Sequence, residues 1–236
     1  MGAIGLLLLL GAAAAAATLL GGSLALAAGR TFHLVLGFSA GAVVAVALLD
    51  LAPEAVALTG AAGPMLILMA IGFVAYLIAD RLLAGRGGQR GHLAAGGFTL
   101  HSLMDGLAIG LAFQVSAAAA AIVAAGVIAH DLADGVNTVT SAKSGGASGQ
   151  AARGWLIADA AAPLAGILLG RLIQLPAHTV GALLALFAGA FLCIGASELI
   201  PASRSRHPGL STTFATVAGA VFVGLAVALA GLAPSR

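Results

Sequence analysis

Two short motifs in this sequence place a histidine and a carboxylate one helical turn apart. They are His101-Ser102-Leu103-Met104-Asp105-Gly106 and His130-Asp131-Leu132-Ala133-Asp134-Gly135. Residues i and i+4 share a face of an α-helix, so the histidine and the aspartate of each motif would project together. Imidazole and carboxylate ligands suit Zn²⁺, and also Fe²⁺ or Mn²⁺. The pairs His101/Asp105 and His130/Asp134 therefore predict a divalent-metal site.

Neighbouring residues could extend this site. Ser102 and Asp131 each follow a histidine directly and could form a second, adjacent metal position. Asp159 could add a ligand or pair with one of the histidines. Gly106 and Gly135 follow the aspartates and would let the two helices approach each other. The structural alternative is that these polar groups only hydrogen-bond across a helix interface.

Composition indicates the environment of these motifs. Of the 236 residues, 61% are hydrophobic and 8% are charged, whereas a soluble domain carries about 25% charged residues. Mean hydropathy is +1.13, which indicates an integral membrane protein. An ionisable side chain at membrane depth costs roughly 2.5–3.5 kcal/mol on insertion scales, so the motifs are expected to serve a function. The sequence has no basic stripe with interleaved aromatic residues, and so it gives no indication of a nucleic-acid partner.

Eight apolar stretches are long enough to cross a hydrocarbon core of about 30 Å. We therefore predict an all-α membrane protein with a single transmembrane domain over residues 1–236. The first stretch is expected to be a helix rather than a removable signal peptide, because no basic residue precedes it. The predicted helices 1 to 8 cover residues 3–28, 32–56, 63–83, 93–115, 117–141, 151–173, 178–200 and 211–232.

The basic residues predict an orientation. One set falls at one face of the membrane: Arg30, Arg81, Arg86, Arg90, Lys143, Arg153, Arg204 and Arg206. Only Arg171 and Arg236 fall at the other face. By the positive-inside rule the first face is cytoplasmic, which places both termini outside. The compactness of the chain favours a bacterial inner membrane.

Helices 2 and 7 carry a matching segment. It reads Asp50-Leu51-Ala52-Pro53 in helix 2 and Glu198-Leu199-Ile200-Pro201 in helix 7. The predicted topology makes these two helices antiparallel, so the match indicates an inverted-topology repeat, which many secondary transporters use. Asp50 and Glu54 would then lie near the outer end of helix 2, and Glu198 near the inner end of helix 7.

The remaining titratable residues suggest simpler roles. Asp80 is next to Arg81 and is interpreted as half of a surface ion pair. His92 is interpreted as a solvated loop residue. Other histidines fall at helix ends and are interpreted as interfacial: His33, His178 and His207.

Taken together, the four motifs resemble the ZIP (Zrt/Irt-like) family of divalent-metal transporters over nearly the whole chain. That family has eight helices with both termini extracytoplasmic. Its helix 4 motif is similar to His-Asn-x-Pro-Glu-Gly, its helix 5 motif to His-Glu-x-Pro-Glu-Gly, and its helices 2 and 7 end in acid-Leu-x-Pro segments. Here Met104 and Ala133 replace the motif prolines, and Asp105 and Asp134 replace the glutamates. Ser102 replaces the asparagine. Without the prolines, helices 4 and 5 are expected to be less kinked.

The resemblance implies a secondary importer of divalent ions, most simply Zn²⁺, and not an enzyme. The implied metal-binding residues are His101, Ser102, Asp105, His130, Asp131 and Asp134. The further ligand or gate residues are Asp159, Asp50, Glu54 and Glu198. In that reading, Asp50 and Glu54 attract the hydrated ion, and Glu198 lies on the release path.

A rival hypothesis is an intramembrane zinc-dependent hydrolase that uses the same His and Asp residues. It lacks a His-Glu-x-x-His motif and leaves the paired segments of helices 2 and 7 unexplained. A third hypothesis is a relative of the transporters that senses metal or acts as a scaffold without transporting, which only the missing prolines favour. In the transporter reading the metal is substrate, no catalytic cofactor is expected, and the partners are the ion and the lipid bilayer. The sequence does not decide between one bound ion and two, or between a monomer and a homodimer.

Overall fold

The computed structural model describes residues 3–83, 88–173, 175–206 and 209–231. These residues are almost entirely helical and include no β-strand. Six of the helices are long and apolar enough to cross a membrane. The protein is therefore an all-α chain with the properties of a membrane protein. The basic residues Arg86 and Arg236, and His207, lie outside the described residues.

The long helices follow the predicted stretches closely, and we number them in chain order. They are α1 Ala3–Ala27, α2 Gly29–Thr59, α3 Ala62–Leu83, α4 Gln89–Val115, α5 Ala117–Ser144, α6 Gly149–Leu172, α7 177–206 and α8 Leu210–Gly231. The six apolar helices are all of these except α4 and α5. Helices α4 and α5, at 27 and 28 residues, have the length for a crossing and carry the two His/Asp motifs. We call the end where α2 and α4 begin the inner end, and the opposite end the outer end.

Helices α2 and α7 each contain one turn of wider π-helix. These turns are Val46–Leu51 and Ile194–Leu199, which occupy the same position in the two matching segments. A proline lacks a backbone N–H and clashes with the carbonyl four residues earlier. For Pro53 and Pro201 that carbonyl belongs to the π turn, so the wider turn relieves the clash. In contrast, α4 and α5 run as uninterrupted α-helices through the His/Asp motifs, as expected from their missing prolines.

The helices pack as two groups. In the first group, α4 packs along α6 and α1 packs along α5. In the second, α2 packs along α8 and α3 packs along α7. Most of the contact between the groups is made by α5 against α2 and α8. The His/Asp motifs of α4 and α5 therefore belong to one group, while Asp50 and Glu198 belong to the other.

Gly106 and Gly135 do not have the predicted role of bringing α4 and α5 together. A Cβ on Gly106 would lie 2.0 Å from the backbone oxygen of Pro163 in α6, and one on Gly135 would lie 1.9 Å from that of Thr18 in α1. Each glycine therefore lets its helix approach a different neighbour, α6 or α1. The prediction was wrong because the glycine follows the metal-motif aspartate by one residue, which turns it about 100° away from the aspartate's face.

Candidate metal site

Four side chains of the two motifs converge midway along α4 and α5. Ligand atoms of His101, Asp105, His130 and Asp134 all lie within 4.8 Å of one another. All four residues are buried. The convergence follows from the sequence: each pair shares a helical face, and the two helices are joined at Ser116 so that they return antiparallel. One central ion could reach ligand atoms from all four side chains.

Within each motif the histidine faces its own aspartate. His130 Nδ1 lies 2.8 Å from Asp134 Oδ2, and His101 Nε2 lies 3.4 Å from Asp105 Oδ2. The two imidazole rings stack with centroids 5.8 Å apart. A carboxylate that accepts from one ring nitrogen fixes the imidazole's orientation and raises its basicity toward a metal.

Several ligand atoms in the cluster are buried and have no hydrogen bond to a described residue. Neither ring nitrogen of His101 has a hydrogen bond to any described residue, nor does Oδ2 of Asp105 or Oδ1 of Asp134. Buried polar groups are normally hydrogen-bonded, because an unpaired one costs free energy. A metal ion would satisfy these atoms together, which the structural alternative of interhelical hydrogen bonding does not.

Aromatic side chains of α7 close one side of the cluster. Phe191 packs edge-on against His101 with ring centroids 5.3 Å apart, and Phe187 lies at 6.5 Å. Phe191 also packs on Phe98 of α4. These rings exclude water from the His101 side of the site and so strengthen its electrostatics.

A cavity of about 180 Å³ leads from the cluster toward the outer end. Asp50 and Glu54 of α2 line it, together with Asp105 and His130. Asp50 Oδ2 lies 3.6 Å from His130 Nε2, so His130 has a carboxylate at each ring nitrogen. The two α2 acids thus lie where a cation would enter the cluster from the outer end.

Ser102, Asp131 and Asp159 lie beside the cluster rather than in it. Asp159 accepts hydrogen bonds from Ser102 Oγ at 2.8 Å and from Thr138 Oγ1 at 2.7 Å, and it is fully buried. Its partners are hydroxyl groups, so Asp159 does not pair with a histidine. Asp131 lies 4.0 Å from His130 Nδ1, and neither of its oxygens has a hydrogen bond to a described residue. Of the two residues predicted for a second position, Ser102 donates to Asp159, whereas Asp131 has no hydrogen bond to a described residue.

Glu198 lies away from the cluster, in a separate cavity of about 160 Å³ toward the inner end. Asp80 and Arg90 line the same cavity. Asp80 is buried and binds the guanidinium of Arg90, with Nη2 2.7 Å from Oδ2. The interpretation of Asp80 as a surface partner of Arg81 was wrong, because adjacent helical residues point about 100° apart while α4 begins opposite Asp80.

His92 is also placed differently from its prediction. It lies in the first turns of α4, and its Nδ1 accepts a hydrogen bond of 2.8 Å from Trp155 Nε1. It is half-buried rather than a solvated loop residue. This bond ties the inner ends of α4 and α6 together.

A stripe of buried polar residues extends along α5 from the cluster toward the inner end, and the sequence analysis did not predict it. His130, Asp134, Asn137 and Ser141 recur on one face of α5 at helical spacing, and all four are buried. Asn137 Oδ1 accepts a 2.7 Å hydrogen bond from Ser39 Oγ of α2. The spacing of three and four residues could have been recognised in the sequence. The hydrogen bond to Ser39, 98 positions away, could not have been predicted from it.

No family model matches this chain, and none of the curated proteins matches it. The arrangement is therefore interpreted from its own chemistry. Two imidazoles and two carboxylates around one point form a borderline-hard ligand set for a divalent transition metal.

Proposed function

We propose that this protein is a secondary transporter that imports divalent metal ions, with Zn²⁺ as the first candidate and Fe²⁺ or Mn²⁺ next. The observation that carries the proposal is the cluster of His101, Asp105, His130 and Asp134. It is buried midway along two helices, at the contact between two helix groups, and a cavity with acidic residues leads to it. A metal ion that only stabilises the fold would not need a cavity that leads to its site.

The same features favour transport over hydrolysis. A catalytic zinc keeps three protein ligands and leaves one position for water, whereas four protein ligands fill a tetrahedral shell. The cluster offers four ligand residues within 4.8 Å of one another. Binding without an open water position suits an ion that is held and released, not one that activates water.

We further propose that the chain is a ZIP-like transporter with eight membrane spans and an inverted repeat. The four motifs support this, as do the π turns in the two acid-Leu-x-Pro segments. The packing supports it too. If α1–α3 correspond to α6–α8, and α4 corresponds to α5, the contact of α2 with α8 corresponds to the contact of α7 with α3. Likewise, the contact of α1 with α5 corresponds to the contact of α6 with α4. With both termini outside, the outer cavity would open to the extracytoplasmic side.

Transport would proceed by movement of the two helix groups against each other. An ion entering between Asp50 and Glu54 would exchange its waters for the four ligands of α4 and α5. Asp50 belongs to the opposite helix group, so relative movement would separate it from His130. Glu198, on the inner side, would then lie along the release path.

The test is metal uptake into liposomes that contain purified protein and a Zn²⁺-sensitive dye. We expect uptake by the intact protein and none by an Asp105→Ala/Asp134→Ala variant. His178→Ala is a matched control, because His178 is an exposed histidine at the start of α7. Equal uptake by the intact protein and the double variant would refute the assignment of the site. Metal binding without uptake would refute transport and favour the hydrolase or a sensor.

A further inference from the structure

One ion pair joins the two helix groups at the inner end. Asp80 closes α3 of one group, and Arg90 opens α4 of the other. The contact is bidentate, from Arg90 Nε to Asp80 Oδ1 and from Nη2 to Oδ2. Bidentate Arg–carboxylate pairs add geometric specificity to charge attraction. Helices α3 and α4 otherwise make few contacts, so this pair is a main link between them.

Besides the contact of Asp50 with His130 at the cluster, a further polar contact joins the groups toward the inner end. Ser39 of α2 bonds Asn137 of α5, and its Oγ also lies 2.7 Å from Thr140 Oγ1. Between α4 and α7, Phe98 packs on Phe191 in a tilted arrangement with ring centroids 4.4 Å apart. Phe98, Asn137 and Thr140 lie on the inner side of the cluster along their helices, and Ser39 lies on the inner side of Asp50 along α2.

The opposite side of the cluster is open. The cavity lined by Asp50 and Glu54 reaches the ligands from the outer end. The inner cavity that contains Glu198 is lined by different residues and shares none with the outer one. Of these two cavities, only the outer one is lined by ligands of the cluster.

We propose that the Asp80–Arg90 pair is an inner gate that holds the two helix groups together while the site faces outward. This inference rests on the proposed transport function and adds the residues that control release. Opening the gate would separate α3 from α4 and would widen the inner cavity around Glu198 and the buried Cys193. The carboxylate of Glu198 in that cavity would then interact with the released cation.

The chain contains its own reporter for gate opening. Cys193 is its single cysteine, it lines the inner cavity beside Glu198, and it is 1% exposed. The experiment measures the rate at which a membrane-impermeant maleimide labels Cys193 in nanodiscs, where both faces are accessible. Metal is removed with EDTA, so the readout needs no transport.

Breaking the pair by Asp80→Asn or Arg90→Gln should raise the labelling rate about two- to fivefold, the factor expected for a partly exposed ion pair. Exchanging the charges, Asp80→Arg with Arg90→Asp, should return the rate toward that of the intact protein. The matched control is Arg81→Gln, since Arg81 lines the same cavity but forms no ion pair with a described residue. Its labelling rate should be unchanged.

A second reporter separates gating from general loosening. Val180 lines the outer cavity, so Val180→Cys in a Cys193→Ser background reports access from outside. Labelling there should fall in the gate variants while labelling of Cys193 rises. If both rates rise together, or if Cys193 labelling does not change, the gate is refuted. Because neither readout uses metal flux, failure of the transport proposal would be seen separately in the liposome assay.

Discussion

Replacing Asp134 by asparagine should weaken metal binding far more than the same change at Asp159. Asp134 has two roles in the cluster: Oδ2 orients His130 from 2.8 Å, and Oδ1 has no hydrogen bond to a described residue. Asp159 is equally buried, but both of its oxygens accept hydrogen bonds from the hydroxyl groups of Ser102 and Thr138. The two substitutions are therefore matched in size, charge and burial, and differ in what the carboxylate meets: His130 and an unbonded oxygen at Asp134, and two hydroxyl donors at Asp159.

The magnitude follows from these two roles. Removing a group that only orients a metal ligand costs about 10- to 100-fold in affinity. Asp134→Asn also removes a charged ligand, so we expect a loss of at least about 100-fold, or about 2.7 kcal/mol. For Asp159→Asn we expect a loss below about 10-fold, the lower limit for an outer partner.

Isothermal titration of Zn²⁺ into purified protein in detergent measures both losses. Circular dichroism of each variant checks that the helices are intact. Equal losses in the two variants, or a larger loss at Asp159, would refute the assignment of the cluster and would move the site toward Ser102 and Asp131.

Three further results are expected. Zn²⁺ affinity should fall as pH decreases, because histidine binds metal only when neutral and protons then compete with the ion. Titration at several pH values measures this, and a pH-independent affinity would contradict it. Asp50→Ala/Glu54→Ala should raise the KM for uptake while affinity at the cluster in detergent changes much less, and an unchanged KM would exclude an entrance role. Gly135→Ala should destabilise the protein by about 1–3 kcal/mol through overpacking, because the added Cβ would lie 1.9 Å from the backbone oxygen of Thr18. Gly97→Ala should be near neutral, because its Cβ would have nothing within 4 Å. Thermal melts compare the two variants, and equal melting temperatures would contradict the packing described here.

The cluster could be predicted from the sequence because its geometry is local. His101 and Asp105 share a face by helical spacing, as do His130 and Asp134, and the short connection at Ser116 makes the two helices antiparallel neighbours. Most helix limits lie within four residues of those predicted from apolar length, whereas α7 continues six residues past its predicted end, to Arg206. The π turns of α2 and α7 were not predicted, although the shared acid and proline marked the positions where they occur.

The contacts between helices could not be predicted in the same way. Helical spacing determines which residues share a face, but not which neighbour that face meets. Gly106 and Gly135 therefore pack on α6 and α1, and Asp80 pairs with Arg90 rather than with its sequence neighbour Arg81. Such pairings depend on how the two helix groups assemble.

X-ray absorption at the zinc edge tests most directly whether the His/Asp cluster binds the ion. The expected spectrum has a first shell of nitrogen and oxygen ligands at about 2.0–2.2 Å, with imidazole scattering from two histidines and no sulfur at about 2.3 Å. The imidazole signal should be lost in His101→Ala/His130→Ala and kept in His178→Ala. A sulfur shell, which would indicate Cys193, or a shell without imidazole in the intact protein, would contradict the proposed site.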